Sequence, residues 1–445
     1  MTREGSLEAP TRHALGQDEW WFFDEEHLTK ELERVFDVCQ GCRRCFNLCE
    51  SFPTLFDLVD ESETMDIDGV AKADFEQVVD HCFQCDLCYQ TKCPYVPPHE
   101  WNIDFPHLML RAKAVKFRKK ESKFRDRLIT STDQMGAFIS TPGIAQAANT
   151  VNQIKPFRKL LDKVLDIHPD ANLPAYESRT LFRRTKKHLP LNVELAETEQ
   201  TRGRVALFVT CYGNYNSPDL GEEFIRIFEH NGIPVKLIRD AKCCGMPKYE
   251  LGDLNAVKQM KSHNIPILSE LVDEGYDLVT LIPSCTLMFK QELPLMYPDE
   301  SRVKNVQAAM FDPFEYLMLR HKEGLLNTDF KRPLGKIAYQ VACHQRVQNI
   351  GLKTRDVLQL IPDTEVLPIE RCSGHDGTYT FKSEKHDSAM KILKPVVKRV
   401  KDSEADHYTS DCAMAGAHIA HGLNDGSSAT HPLSLLSYAY GFDAS

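Results

Sequence analysis

The chain has 445 residues, a net charge of −10, 42% hydrophobic and 27% charged residues, which suits a folded protein of two or three domains and excludes a disordered chain. No apolar run approaches the roughly 18–20 residues of a membrane span, Met1–Gln17 lacks the apolar core of an export signal, and an acidic balance without a recognised motif argues against nucleic acid. A cytoplasmic location is therefore expected, where the 15 cysteines stay reduced and, being clustered, point to metal rather than to disulfides.

Charge divides the chain. Residues 1–107 carry a net −15, residues 108–190 a net +11 and the remainder −6, so four regions are expected: 1–107, 108–203, 204–330 and 331–445. The first opens with a partly helical leader over 1–37. It continues with Cys39-x2-Cys42-x2-Cys45-x3-Cys49 and Cys82-x2-Cys85-x2-Cys88-x4-Cys93-Pro94. Three thiolates at two-residue spacing wrap a tight loop around one face of a cubane cluster, and the fourth comes from the other run. Two [4Fe–4S] clusters are thus expected in a helical, loop-rich, ferredoxin-like domain. Cys39, Cys42, Cys45 and Cys93 would hold one, and Cys82, Cys85, Cys88 and Cys49 the other. A pair of zinc ribbons would need paired CxxC motifs instead. Two details depart from the simplest pattern: four residues separate Cys88 from Cys93, and Glu50 follows Cys49.

The basic connector, 108–203, holds the run Arg111, Lys113, Lys116, Arg118, Lys119, Lys120, Lys123, Arg125 and Arg127, with apolar residues at near-helical spacing. Such a helix suits either an anionic membrane face or docking against the acidic first region. Residues 191–203 read as a polar linker.

From 204 onward short apolar strands alternate with helices such as Asp219–Asn231, Asp253–Glu274 and Ser383–Lys401, which predicts parallel sheets. The pattern repeats. Val205–Cys211 parallels Ile337–Cys343, the segment from Pro234 to Cys243-Cys244-Gly245 parallels that from Glu365 to Cys372-Ser373-Gly374, and Asp277–Cys285 parallels Asp406–Cys412. Each cysteine follows a strand, at the edge where parallel sheets bind ligands. The overall class is α+β multidomain, ending in a duplicated α/β unit.

Cys211…Cys243-Cys244-Gly245…Cys285, with Cys211-Tyr-Gly-Asn-Tyr-Asn-Ser-Pro, Lys242-Cys-Cys-Gly-Met-Pro, Gly377-Thr-Tyr-Thr-Phe-Lys-Ser-Glu and Ser131-Thr-Asp-Gln-Met-Gly, resembles the CCG-domain iron–sulfur family, which includes the B subunit of heterodisulfide reductase and the C subunit of the anaerobic glycerol-3-phosphate dehydrogenase. The resemblance implies an electron-transfer subunit that takes electrons from a flavoprotein dehydrogenase and passes them toward quinone, with a peripheral place on the inner face of the cytoplasmic membrane. It implies a third iron–sulfur cluster, or zinc, on Cys211, Cys243, Cys244 and Cys285. The second repeat departs from the family, with Ser373 inside its CCG and Ala415 after Cys412. Cys343, Cys372 and Cys412, with His375 as a fourth ligand, would form either a zinc site or a vestigial one.

Two other functions stand beside the relay: a reductase acting at the CCG centre, and an iron–sulfur redox partner of a peroxide-detoxifying system. No catalytic residue is indicated. The chain has no GxGxxG after a strand, no GxxxxGK[ST] and no HExxH, so no nucleotide or zinc-protease chemistry is read from it.

Overall fold

The computed structural model describes residues 10–442, so the first nine residues of the expected leader lie outside the described residues. Helix α1 (Glu25–Cys42) begins where the Asp24 carboxylate accepts from the His27 N–H at 2.7 Å, an N-cap that satisfies one of the orphan donors of the first turn. Its buried residues, Leu28, Leu32, Val35 and Phe36, recur at helical spacing. The helix stops at Arg43, in the left-handed region at φ 52°, whose N–H closes on the Cys39 carbonyl at 2.9 Å. That stop delivers the first cysteine run into tight turns.

Helices α2 (Ser51–Asp60), α3 (Phe75–Asp80), α4 (Leu87–Thr91) and α5 (Phe105–Arg118) complete the N-terminal unit. Phe36 meets Phe75 edge-on at 5.1 Å, and Phe52 lies 4.7 Å from Phe105. Helix α5 serves two cores at once. Leu108, Met109, Ala112 and Val115 pack with α1–α3, whereas Leu110 and Ala114 pack with the C-terminal sheets. The expected boundary at residue 107 therefore falls inside a helix.

The basic run is divided: Arg111 and Arg125 are buried, whereas Arg118, Lys119, Lys120 and Lys123 are exposed. The Arg111 guanidinium is buried and donates to the Phe22 carbonyl at 2.7 Å. Lys116 pairs with Asp80 at 3.1 Å and with Glu76, and Lys119 with Glu25 at 3.2 Å. Arg125 forks onto Glu384 at 2.7 and 2.8 Å. The positive stretch is neutralised by the acidic N-terminal unit on one side and by the C-terminal unit on the other. The connector continues in α6 (Phe124–Ile129), α7 (Thr132–Ile139), α8 (Ile144–Asn152) and α9 (Lys155–Leu165).

Strands β1 (Val205–Phe208), β2 (Val235–Leu237), β3 (Asp277–Thr280) and β4 (Met310–Phe311) form a parallel four-stranded sheet in the order β2-β1-β3-β4. β5 (Gly335–Gln340), β6 (Thr364–Ile369) and β7 (His407–Ser410) form a parallel three-stranded sheet in the order β6-β5-β7. In both, the first strand is central, flanked by the next two. All of β1 and β3 is buried, as parallel strands covered by helices on both faces require. The covering helices run Pro218–His230, Leu254–Asp273 and Ser383–Asp402, within a residue or two of the expected spans. No helix among the described residues is long and apolar enough to cross a membrane.

One ionic knot pins the N-terminal unit to the first sheet. Arg12, its side chain 7% exposed, donates from Nε to Asp104 at 2.9 Å and from Nη2 to Asp86 at 3.2 Å, and lies 3.5 Å from Glu292. Gln291 donates to Asp86 at 2.7 Å, and the Tyr249 hydroxyl donates to Glu292. Asp86 sits between Cys85 and Cys88, and Glu292 lies seven residues beyond Cys285. Removing one partner of a buried ion group leaves uncompensated charge behind and costs about 3–5 kcal/mol. Arg12→Met is therefore expected to lower unfolding stability by that amount in urea titration. A loss below about 1 kcal/mol would mean the knot behaves like a surface pair.

Candidate functional site

All 15 cysteines fall into four neighbouring groups, and none is in a disulfide. In the first, α1 ends with Cys39 and Cys42, the following turn carries Cys45, and Cys93 comes in after α4. Burial and the facing thiols of Cys93, Cys45 and Cys42 push the Cys39 thiol far up. Burial, then Cys93 and Cys42, raise Cys45 to about 12. In the second group Cys49 faces Cys82, and Cys85 faces Cys49 and Cys82. Cys88 faces these three and also Cys45, which joins the two groups. Burial raises Cys82 to about 11. Thiols so placed ionise only beside added positive charge, which is what iron supplies to a thiolate set.

The remaining cysteines sit at the carboxyl ends of strands. Cys211 follows β1, Cys243 and Cys244 follow β2, and Cys285 follows β3. They neighbour one another in sequence around the site, Cys211 facing Cys243, Cys243 facing Cys244 and Cys244 facing Cys285. Hydrogen bonds from Cys211 and Cys244 and, at 3.5 Å, from the Thr132 hydroxyl hold Cys243 well below an ordinary thiol. The Cys243 N–H donates to Asp133, raised to about 6 by burial and the facing Cys243. Asn264 fixes the loop further, accepting from the Lys242 N–H at 2.9 Å and donating to the Cys243 carbonyl at 3.0 Å.

The second repeat has the same form with fewer thiols. Cys343 follows β5, Cys372 follows β6 and Cys412 follows β7. Cys372 accepts from Cys343 and, at 3.3 Å, from the Gly374 N–H, and is lowered as Cys243 is. Cys412 faces Cys343. His375 lines the same chamber as these three thiols. Its ring meets Phe381 and His418 at 5.6 and 5.7 Å, and burial lowers it to about 4. No group of three or more His, Cys, Asp or Glu among the described residues is placed to hold a metal ion. His344 points away, toward the Gln84 carbonyl at 3.2 Å.

Both repeats open into one chamber of about 540 Å³. Cys85, the four thiols of the first repeat and the three of the second line one side. Cys85 also faces Cys343 and Cys372, which links the N-terminal thiols to the chamber. Leu128, Ile129, Met135, Ile139, Val151, Phe157, Leu161 and Leu165, from α6–α9, line the other side. Sequence reasoning missed Asn264, Asp133 and this apolar wall. Thr132 and Asp133 lie within a quoted family-like motif, but nothing local signals that α7 caps Cys243.

Residues 205–290 match the family model described as a cysteine-rich domain, CCG. Over 344 residues the chain is 29% identical to the C subunit of the anaerobic glycerol-3-phosphate dehydrogenase of Escherichia coli K12, covering 76% of this chain and 82% of that protein. It is 26% identical over 251 residues to the B subunit of the fumarate reductase (CoM/CoB) of Methanothermobacter marburgensis, covering 54% and 47%. Lactate utilization protein A of Halalkalibacterium halodurans is 24% identical over 212 residues, covering 46% and 82%. The chain thus carries a CCG domain and is similar along most of its length to a dehydrogenase subunit.

The glycine of each CCG-type loop has a distinct physical load. Gly245 has φ +102°, and a Cβ there would meet nothing closer than 3.6 Å, whereas at Gly374 (φ +76°) it would sit 2.4 Å from the Ala389 carbonyl. Gly245→Ala is expected to cost about 1–2 kcal/mol, the left-handed penalty alone, and Gly374→Ala distinctly more. Equal shifts in thermal unfolding would refute the steric account.

Proposed function

We propose that the chain is an iron–sulfur electron-transfer subunit that takes electrons from a flavoprotein dehydrogenase and passes them toward quinone. Cys39, Cys42, Cys45 and Cys93 hold one [4Fe–4S] cluster, Cys49, Cys82, Cys85 and Cys88 another, and Cys211, Cys243, Cys244 and Cys285 a third. Bound there, the clusters supply one-electron redox steps. The observation that carries this reading is the unbroken row of thiol groups, joined by Cys45 facing Cys88 and by Cys85 facing Cys343 and Cys372. The similarity to a dehydrogenase subunit supports the flavoprotein partner. A second reading, reduction of a small acceptor at the CCG centre itself, is favoured by the chamber that the thiols line.

Membrane contact, on this reading, belongs to α9. Leu160 and Val164 are 53% and 69% exposed, while Phe157, Leu161 and Leu165 on the same apolar stripe line the chamber. Exposed Lys155, Lys159 and Lys163 flank the stripe, each worth roughly 1 kcal/mol on an anionic surface.

Two measurements test these assignments. In anaerobically reconstituted protein, Cys93→Ser and Cys49→Ser should each remove about four of the roughly eight N-terminal irons and abolish different paramagnetic signals. A parent protein that takes up zinc but no iron would sink the relay. In flotation with anionic vesicles, L160E/V164E should lose most of the binding of the parent chain. Unchanged flotation would move the membrane contact elsewhere.

A further inference from the structure

A second cavity, of about 920 Å³, lies between α8, α9 and the segment 169–175 on one side and the helix Ala413–Leu423 of the second repeat on the other. It borders the thiol chamber through Tyr212, His375 and Met414, which line both. Its wall is cationic. Lys155, Arg158 and Lys159 of α9 line it against a single carboxylate, Asp170, and none of the three cations forms an ion pair among the described residues. Like charges one turn apart on a helix destabilise it, so Lys155 and Lys159 carry a cost that an anion between them would offset. Arg158 is the buried member of the set, 6% exposed. It donates to the carbonyls of His168, Pro169 and Ala171 and, from Nη1, to Asn152 at 2.6 Å. These bonds fix the guanidinium without neutralising it and leave one Nη1 N–H unused. The start of α9 adds to the same field. No side chain caps it and its first turn holds no acidic residue, so the positive end of the helix dipole is uncompensated. From the opposite wall comes His418, 1% exposed, whose Nε2 has no hydrogen-bond partner among the described residues. A buried unpaired charge and a buried unpaired polar atom each cost free energy, and here both border one polar space.

We propose that this cavity is a binding site for a phosphate group, held by Lys155, Arg158 and Lys159 at the start of α9, with His418 on the far wall. Three cations against Asp170 leave two positive charges, which a phosphate dianion matches and a single carboxylate does not. Its acceptor oxygens also suit an uncapped helix start beside lysine and arginine donors. Two sources share this chemistry: a free phosphate and the headgroup of an anionic phospholipid. The exposed Leu160 and Val164 of the same helix place the second within reach. Loading the site requires no cluster, so the proposal stands apart from the electron-transfer reading.

The test is equilibrium dialysis of the full chain, reconstituted anaerobically, against radiolabelled inorganic phosphate at constant ionic strength. The parent should take up phosphate saturably. K155Q/K159Q should bind it roughly 30-fold more weakly, the scale of losing two partly solvated charge contacts. Ala417→Trp removes no charge but fills the cavity from the second repeat, and it should abolish uptake at an unchanged thermal midpoint. That variant separates a built site from diffuse attraction by surface lysines. Lys155 and Lys159 are exposed, so their replacement leaves the fold intact and decides the case if the tryptophan is not tolerated. Flotation with phosphatidylglycerol vesicles distinguishes the two sources. Displacement of the parent from the vesicles by inorganic phosphate, but not by chloride at equal ionic strength, assigns the site to the lipid headgroup. Saturable uptake in dialysis without such displacement assigns it to free phosphate. No saturable uptake by the parent, or uptake unchanged in either variant, would overturn the proposal.

Discussion

Thiolates repel one another, and this fold gathers 15 of them into one continuous region between a small helical unit and two parallel sheets. Burial makes the repulsion worse, because the low-dielectric surroundings disfavour the charged form. Burial drives most of these thiols up; in each repeat one thiol, Cys243 or Cys372, is instead lowered by hydrogen bonds from its neighbours. The surrounding architecture serves to hold such groups together in a geometry that only added positive charge makes comfortable.

The devices that do so lie far apart in the sequence. Arg12 joins Asp86, beside the second thiol group, to Glu292, beyond the last thiol of the first repeat. Thr132 and Asp133 of the connector bond the sulfur and the N–H of Cys243. Arg125 ties the same connector to Glu384 of the second repeat. The connector is therefore a structural part of the site: its basic side chains clamp the acidic unit and its apolar residues close the chamber.

The second repeat keeps the loop geometry while losing ligands. Gly374 retains a left-handed backbone against the Ala389 carbonyl, and Cys372 still accepts from that glycine's N–H. Ser373 and Ala415 occupy the places of further thiols, and both are buried. The repeat thus completes the thiol-lined side of the chamber, to which it contributes three thiols.

Local pattern was enough to predict the strand and helix spans of the C-terminal half, because strand period, helix period and turn residues are written into short stretches. It was also enough to place each C-terminal cysteine after a strand, since the repeat puts it there twice. What lay beyond reach depended on residues distant in sequence. The basic run from Arg111 to Arg127 has the composition of a membrane helix, and its ion pairs with Glu25, Asp80 and Glu384 form only when distant segments arrive beside it. His375 stands three residues from Cys372, and its packing edge-on to Phe381 and His418 is visible only in the fold. Covalent spacing limits which neighbours a thiol can have nearby in the chain, whereas partners across a chamber are chosen by packing, which a linear pattern does not record.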